Sequence, residues 1–207
     1  MVKLFIDGGA FMWPILGLLI IGLMFALERF WTLSRASINT RKFMPQIRSA
    51  LESGSIEEAL AICSRTRGPI ASIFSAGLMR IDRGVEAVEK SIMSAGTIEM
   101  AFLEKNLIWL STIIGMAPML GFTGTVWGMI AAFDSIMRAN DISPSVVTGG
   151  ISQALLTTLF GLIVAMIIQI CSNFFISRID KLVIEMEESS VDFIDTISAI
   201  EAKKKNQ

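Results

Sequence analysis

APMLGFTGTVWGMIAAF, residues Ala117 to Phe133, lies inside an apolar run from about Leu107 to Met137 that carries no acid or base before Asp134. On a helix, Ala117, Gly121, Gly124 with Thr125, Gly128, and Ala131 with Ala132 recur at three- and four-residue steps, so they share one face. That face has almost no side chain, and Thr125 is its main polar feature. In lipid a small-residue face lets two helices approach to van der Waals contact, and Gly124 and Gly128 have the G-xxx-G spacing. Pro118, near the inner end, frees a backbone carbonyl that a neighbour or water must satisfy. The stretch predicts a close-packed membrane helix.

Composition agrees. Of 207 residues, 53% are hydrophobic and 18% charged, with a mean hydropathy of +0.63. A chain this apolar fits a multi-span membrane protein with a sizeable polar part. Net charge is -1, which leaves no nucleic-acid footprint. There is no His, so the commonest general base and nitrogen metal ligand is missing. Cys63 and Cys171 are far apart, one in a polar region and one in an apolar helix, and read as unpaired structural thiols. No Ser-His-Asp or Cys-His set and no phosphate loop can be assembled. No enzyme, metal or cofactor is expected.

Outward from the central run, Phe11 to Leu27 is unbroken apolar sequence, 17 residues or about 26 Å at ~1.5 Å per residue. Pro14 suits its first turn. Glu28-Arg29 ends the run, and Trp13 and Trp31 mark the two interfaces. A signal peptide would have a basic head and a small-residue cleavage site, and neither is visible. Ser34 to Lys105 is polar. Gly54 stops a first helix with Phe43, Ile47, Ala50 and Leu51 on one face. Ser55 to Glu58 forms a capping box for a second, with Ala59, Leu60 and Cys63 inward. Gly68-Pro69 breaks the chain before a third helix lined by Ile70, Ile73, Phe74, Gly77, Leu78 and Ile81. No Gly-Pro break follows Val85, so the next helix is expected to run straight into the second span.

Arg138 to Pro144 is a short polar turn. A third apolar run goes from Val146 to about Ile176, with Gly150, Ala154, Thr158, Gly161, Ala165 and Ser172 as its small-residue stripe, and Gln153 and Thr157 beside it. The tail is amphipathic, with Ile179, Leu182, Met186, Phe193, Ile194 and Ile197 on one side. Lys and Arg crowd the block between the first two spans, whereas the N-terminus has Lys3 and the turn has Arg138. The block and the tail are therefore expected in the cytoplasm, with the N-terminus and the turn outside. The expected architecture is all-α: a first span within 1–33, a cytoplasmic helical domain at 34–105, two further spans at 106–177, and a cytoplasmic C-terminal helix at 178–207.

Ala117 to Ile130 in the second span and Ala154 to Ala165 in the third resemble the MotA/TolQ/ExbB proton-channel family, ExbB and TolQ most closely. Glu28-Arg29 and Gly54 to Leu60 are weaker marks of the same likeness, which covers nearly the whole chain. The resemblance implies a pentamer in a bacterial inner membrane. Its second and third spans would line a pore around the helices of a small ExbD- or TolR-like partner, and proton entry would drive work on a TonB- or TolA-like envelope protein. By the same resemblance Thr125 and Thr158 match pore-facing hydroxyls, and the expected pathway is Thr125, Thr158, Thr157 and Gln153. Helix packing is assigned to Gly121, Gly124, Gly128, Gly161 and Ala165.

The chain departs from the family at Gln153, where an acid is frequent, and at Ile167, where a proline is. A hydroxyl both donates and accepts and so can relay through water; its structural alternative is back-bonding to its own helix. A passive membrane scaffold is therefore the competing reading. Asp134 can pair with Arg138 four residues on, or can act as a proton-collecting mouth. Asp141 falls in the turn. No titratable group sits mid-span, so the carrier is expected to be an Asp of the partner. Which envelope process is served is open: iron-complex uptake, constriction, gliding or polymer export.

Overall fold

The computed structural model describes residues 2–36, 40–139 and 144–205. The described residues are helical, with no strand among them. In order these are α1 (Val2–Asp7), α2 (Met12–Ala36), α3 (Thr40–Glu52), α4 (Ile56–Arg65), α5 (Pro69–Leu78), a short 3-10 turn (Ile81–Arg83), α6 (Val85–Glu104), α7 (Leu107–Ala139) and α8 (Pro144–Lys205). Three helical stretches are long and apolar enough to cross a membrane: Met12–Ala36, Val85–Arg138 and Thr148–Ala202. About 20 residues cross the hydrocarbon, so the 62-residue α8 must extend well beyond it. Asn140 to Ser143, most of the expected external turn including Asp141, lie outside the described residues.

The chain packs as two units, Met1–Arg29 with Asn106–Phe174, and Phe30–Lys105 with Phe175–Gln207. In the first, each long helix buries one stripe at three- and four-residue steps. On α7 the stripe is Leu110, Ile113, Ala117, Gly121, Gly124, Gly128 and Ala132. On α8 it is Ala154, Thr157, Gly161, Val164 with Ala165, Ile168 and Ser172. On α2 it includes Met12, Ile15, Gly22, Ala26 and Arg29. Gly22 admits the Ile168 and Ile113 side chains, because a Cβ there would stand 2.7 Å from one and 3.5 Å from the other. One glycine thus lets α2 sit on both other spans.

The expected unbroken passage from α6 into α7 is corrected by the structure. α6 ends at Glu104, and Asn106 takes a left-handed φ of 65° before α7 begins. Asn tolerates this conformation because its short amide can bond locally. Its carbonyl accepts from the Trp109 N–H, and its side chain donates to Glu28 Oε2 at 3.1 Å. Glu28 also holds the buried Arg29 guanidinium with two bonds of 2.9 and 2.8 Å. Within this unit the end of the α2 apolar run is therefore tied to the start of α7.

The second unit is a small helical domain. Phe74 is its centre, stacked on Phe193 at 4.2 Å and tilted against Phe43 at 5.7 Å. Ile47, Ile70, Ile73, Leu78 and Val88 are the other large side chains buried with them. Gly54, at φ +79°, closes α3: the Ser55 N–H reaches the Ala50 carbonyl and the Gly54 N–H reaches Leu51, which satisfies carbonyls that the helix end would orphan. Ser55 Oγ then accepts from the Glu58 N–H to open α4. The tail of α8 buries Ile179, Leu182, Met186, Ser189, Phe193 and Ile197.

Candidate functional site

The site lies in the first unit, where α7 and α8 run antiparallel along a seam without large side chains. A Cβ on Gly161 would come within 2.6 Å of the Ala117 carbonyl oxygen, and one on Gly128 within 2.9 Å of the Gly150 oxygen. A Cβ on Gly121 would meet the Thr157 oxygen at 2.9 Å, so backbone meets backbone along the pair. Ala165 is buried on the same stripe of α8.

Thr158 donates its hydroxyl across the seam to the Gly121 carbonyl at 3.1 Å. In an α-helix that carbonyl also accepts the N–H of Thr125, so the two threonines meet at one oxygen. Thr125 is half-buried, and its own hydroxyl donates to the Phe122 carbonyl at 2.5 Å. The structure therefore puts the Thr158 hydroxyl on the same carbonyl as the Thr125 backbone N–H, while the Thr125 hydroxyl turns to Phe122.

The other two residues of the expected pathway have different surroundings within the single chain. Thr157 is fully buried, bonded to the Ala154 carbonyl at 2.8 Å, and fills the space over Gly124. It takes the interior position that the sequence reading gave to Thr158. Gln153 is turned about 140° around α8 from Thr158, at 100° per residue. Its amide lies against Gly9 between α1 and α2, within 2.2 Å of where a Cβ on that glycine would be. Asp134 is exposed and forms no ion pair with Arg138, whereas Glu28 pairs with Arg29 and Arg48 with Glu52. Exposed i,i+4 pairs contribute little whether or not they form: Arg48 and Glu52 make one at 3.3 Å, and Asp134 and Arg138 do not.

One polar feature escaped the sequence reading. Gln169 donates to Asn173 Oδ1 at 2.8 Å, an i,i+4 amide pair in the C-terminal part of the apolar run. Its signal was two amides four residues apart where lipid-facing sequence should be apolar. Among the described residues no group of three or more His, Cys, Asp or Glu is placed to hold a metal ion. What the seam offers chemically is hydroxyl and carbonyl dipoles, none of which titrates.

Residues 65–188 match the MotA/TolQ/ExbB proton channel family. The chain is 31% identical over 187 residues to a putative biopolymer transport protein, an ExbB homolog, of Methanothermobacter thermautotrophicus, covering 90% of this chain and 66% of that one. It is 26% identical over 170 residues to the putative biopolymer transport protein ExbB-like 3 of Synechocystis, covering 81% of each. With the Tol-Pal system protein TolQ of Haemophilus influenzae it shares 28% over 187 residues, covering 84% of this chain and 79% of TolQ. The chain thus spans just under two thirds of the first relative's length and about four fifths of the other two.

Proposed function

Since the chain belongs to the MotA/TolQ/ExbB proton channel family, we propose that it is the pore-forming subunit of an ion-driven inner-membrane motor that energises work in the cell envelope. Copies of the chain, five by family likeness, surround the single helices of an ExbD- or TolR-like partner. The observation that supports this reading is the Thr158 hydroxyl on the Gly121 carbonyl, one helical turn from Thr125, on the edge of a seam whose interior is closed. Their hydroxyls are where a proton-carrying group from another chain would find donors and acceptors. Gln153 holds no exchangeable charge at neutral pH, and no acid or His lies between Lys105 and Asp134 or between Asp141 and Arg178. Intramembrane proton carriers are carboxylates or imidazoles. The carrier is therefore a carboxylate of the partner, and a TonB- or TolA-like protein is the load.

A passive scaffold is the second reading, favoured by the same Thr158 bond, which ties α8 to α7 within one chain. Reconstitution in liposomes separates the two in part. The chain alone should pass no proton flux under a pH gradient, and changing the partner's intramembrane Asp to Asn should abolish work in cells. Proton-selective flux through the chain alone would overturn the assignment of the carrier. Undiminished work with the Asn partner would favour the scaffold.

A further inference from the structure

We infer that Gln153 is a positioning residue: it pins the turn between α1 and α2 as a strap across the end of the α7–α8 seam at which Gly128 meets Gly150. The inference rests on the reading of that seam as part of an ion-driven motor, because the helices held by the strap carry Thr125 and Thr158. α1 ends at Asp7, and the chain turns through Gly8, Gly9, Ala10 and Phe11 before α2 begins at Met12. Gly9 takes a left-handed φ of 73°, which glycine adopts at no steric cost. Its N–H donates to the Ile6 carbonyl at 3.1 Å and its carbonyl accepts from the Met12 N–H at 3.2 Å, so the turn is closed by its own backbone. Two notches stand where side chains are missing. A Cβ on Gly8 would stand 2.5 Å from Met12 Cγ, and Met12 is buried over it. A Cβ on Gly9 would overlap the Gln153 amide nitrogen and stand 2.9 Å from the amide carbon. The turn therefore takes in one side chain from α2 and one from α8.

The same turn reaches α7. The Phe11 ring lies 6.3 Å from the Trp127 ring, tilted by 52°. Trp127 adjoins Gly128, whose missing Cβ lets the Gly150 carbonyl approach, and Gln153 lies about one helical turn beyond Gly150. The turn and the first residue of α2 thus touch both helices of the seam near one level, α7 through an aromatic pair and α8 through Gln153. Thr125 is about 5 Å along α7 from Gly128, and Thr158 about 8 Å along α8 from Gln153, at ~1.5 Å per residue. Gln153 in the Gly9 notch and Phe11 on Trp127 are contacts from a third element, so neither helix slides along the other without carrying the turn with it. The amide fills the notch without bringing a charge beside the turn. What this position contributes is therefore length and shape.

The test is hydrogen exchange of the complete complex in lipid nanodiscs, read beside proton-driven work in cells. Gln153→Ala empties the notch. Backbone amides of residues 8–13 should then exchange on the order of tenfold faster, while those of α7 and of α8 beyond Thr158 stay protected. Gly9→Ala, which pushes the amide out from the other side, should do the same. Both alanine variants should assemble and lose proton-driven work several-fold. Gln153→Met restores length and shape without an amide, and should return exchange and work close to wild type. A Met variant as impaired as the Ala variant would overturn the proposal in favour of an amide in the ion path. Unchanged exchange at the turn in Gln153→Ala would overturn it too, and so would full work despite fast exchange, because the strap would then position nothing. The exchange itself does not depend on conduction. A turn that loosens and work that falls in Gln153→Ala, beside undiminished proton uptake after loss of both threonine hydroxyls, would sink the ion-path reading and leave the strap standing.

Discussion

Gly161 shows what a single residue decides here. A Cβ there meets the Ala117 carbonyl oxygen at 2.6 Å and the Gly121 Cα at 3.2 Å, and backbone atoms cannot turn aside as a side chain can. Gly161→Ala is expected to destabilise the helix pair by about 1–3 kcal/mol, the usual scale of overpacking. Gly17 has nothing within 4 Å of its would-be Cβ, so Gly17→Ala should be neutral or stabilising by up to about 1 kcal/mol. Thermal unfolding in detergent compares them, and equal melting points would remove the seam from the account. Cys63 is decided by burial, which pushes its thiol from 9.0 up to about 11. The folded thiol stays protonated and inert while the unfolded one ionises. The contribution of Cys63 to stability is thus complete below about pH 9 and is lost as pH rises from there through 11. Iodoacetamide at about pH 8 should label Cys63 only after unfolding, and Cys63→Ala should flatten the alkaline fall in stability. Rapid labelling of the folded protein would contradict this.

Among the elements, the break between α6 and α7 is the one the sequence hid. Lys105-Asn106 carries no Gly or Pro, and both flanking stretches keep a helical period. The stop comes from a single asparagine in the left-handed region, held by Glu28 from a distant part of the chain. Asn106→Gly keeps that conformation accessible, whereas Asn106→Leu adds about 1–2 kcal/mol of left-handed strain. Both lose the bond to Glu28, so the difference between their melting points isolates the backbone term; no difference would mean that the break is set elsewhere. The spans themselves were legible because their signal is local: apolar length, glycine spacing, and the charges that end each run. The stripe on α8 was legible only to within one residue. Thr157 and Thr158 are chemically equal, and periodicity alone could not say which one the facing Gly124 would receive. The surroundings of Gln153 were illegible for another reason. Its place beside the stripe and the family likeness pointed to the path, but its partner, Gly9, comes from the N-terminal turn, and no local pattern predicts that contact.

At the scale of the whole molecule, one copy leaves much apolar surface open on α7 and α8, including Met119, Phe122, Trp127, Ile130, Leu155 and Ile170. Lipid covers such a face as readily as protein does, so apolarity alone does not set the number of copies. The polar edge at Thr125 and Thr158 is different, because it gains from facing another chain or water. As proposed above, these two hydroxyls serve a path between chains and do not merely tie α7 to α8. The most direct measurement of this is proton uptake by vesicles that hold the complete complex, with Thr125→Val and Thr158→Val together, read beside the abundance of the intact assembly by native mass spectrometry. Each change keeps volume and removes one hydroxyl, and losing the Thr158 bond should weaken packing by only about 1 kcal/mol. The expected outcome is an assembly that persists and a proton uptake that falls sharply. Undiminished uptake, or a fall that only tracks loss of the assembly, would contradict it.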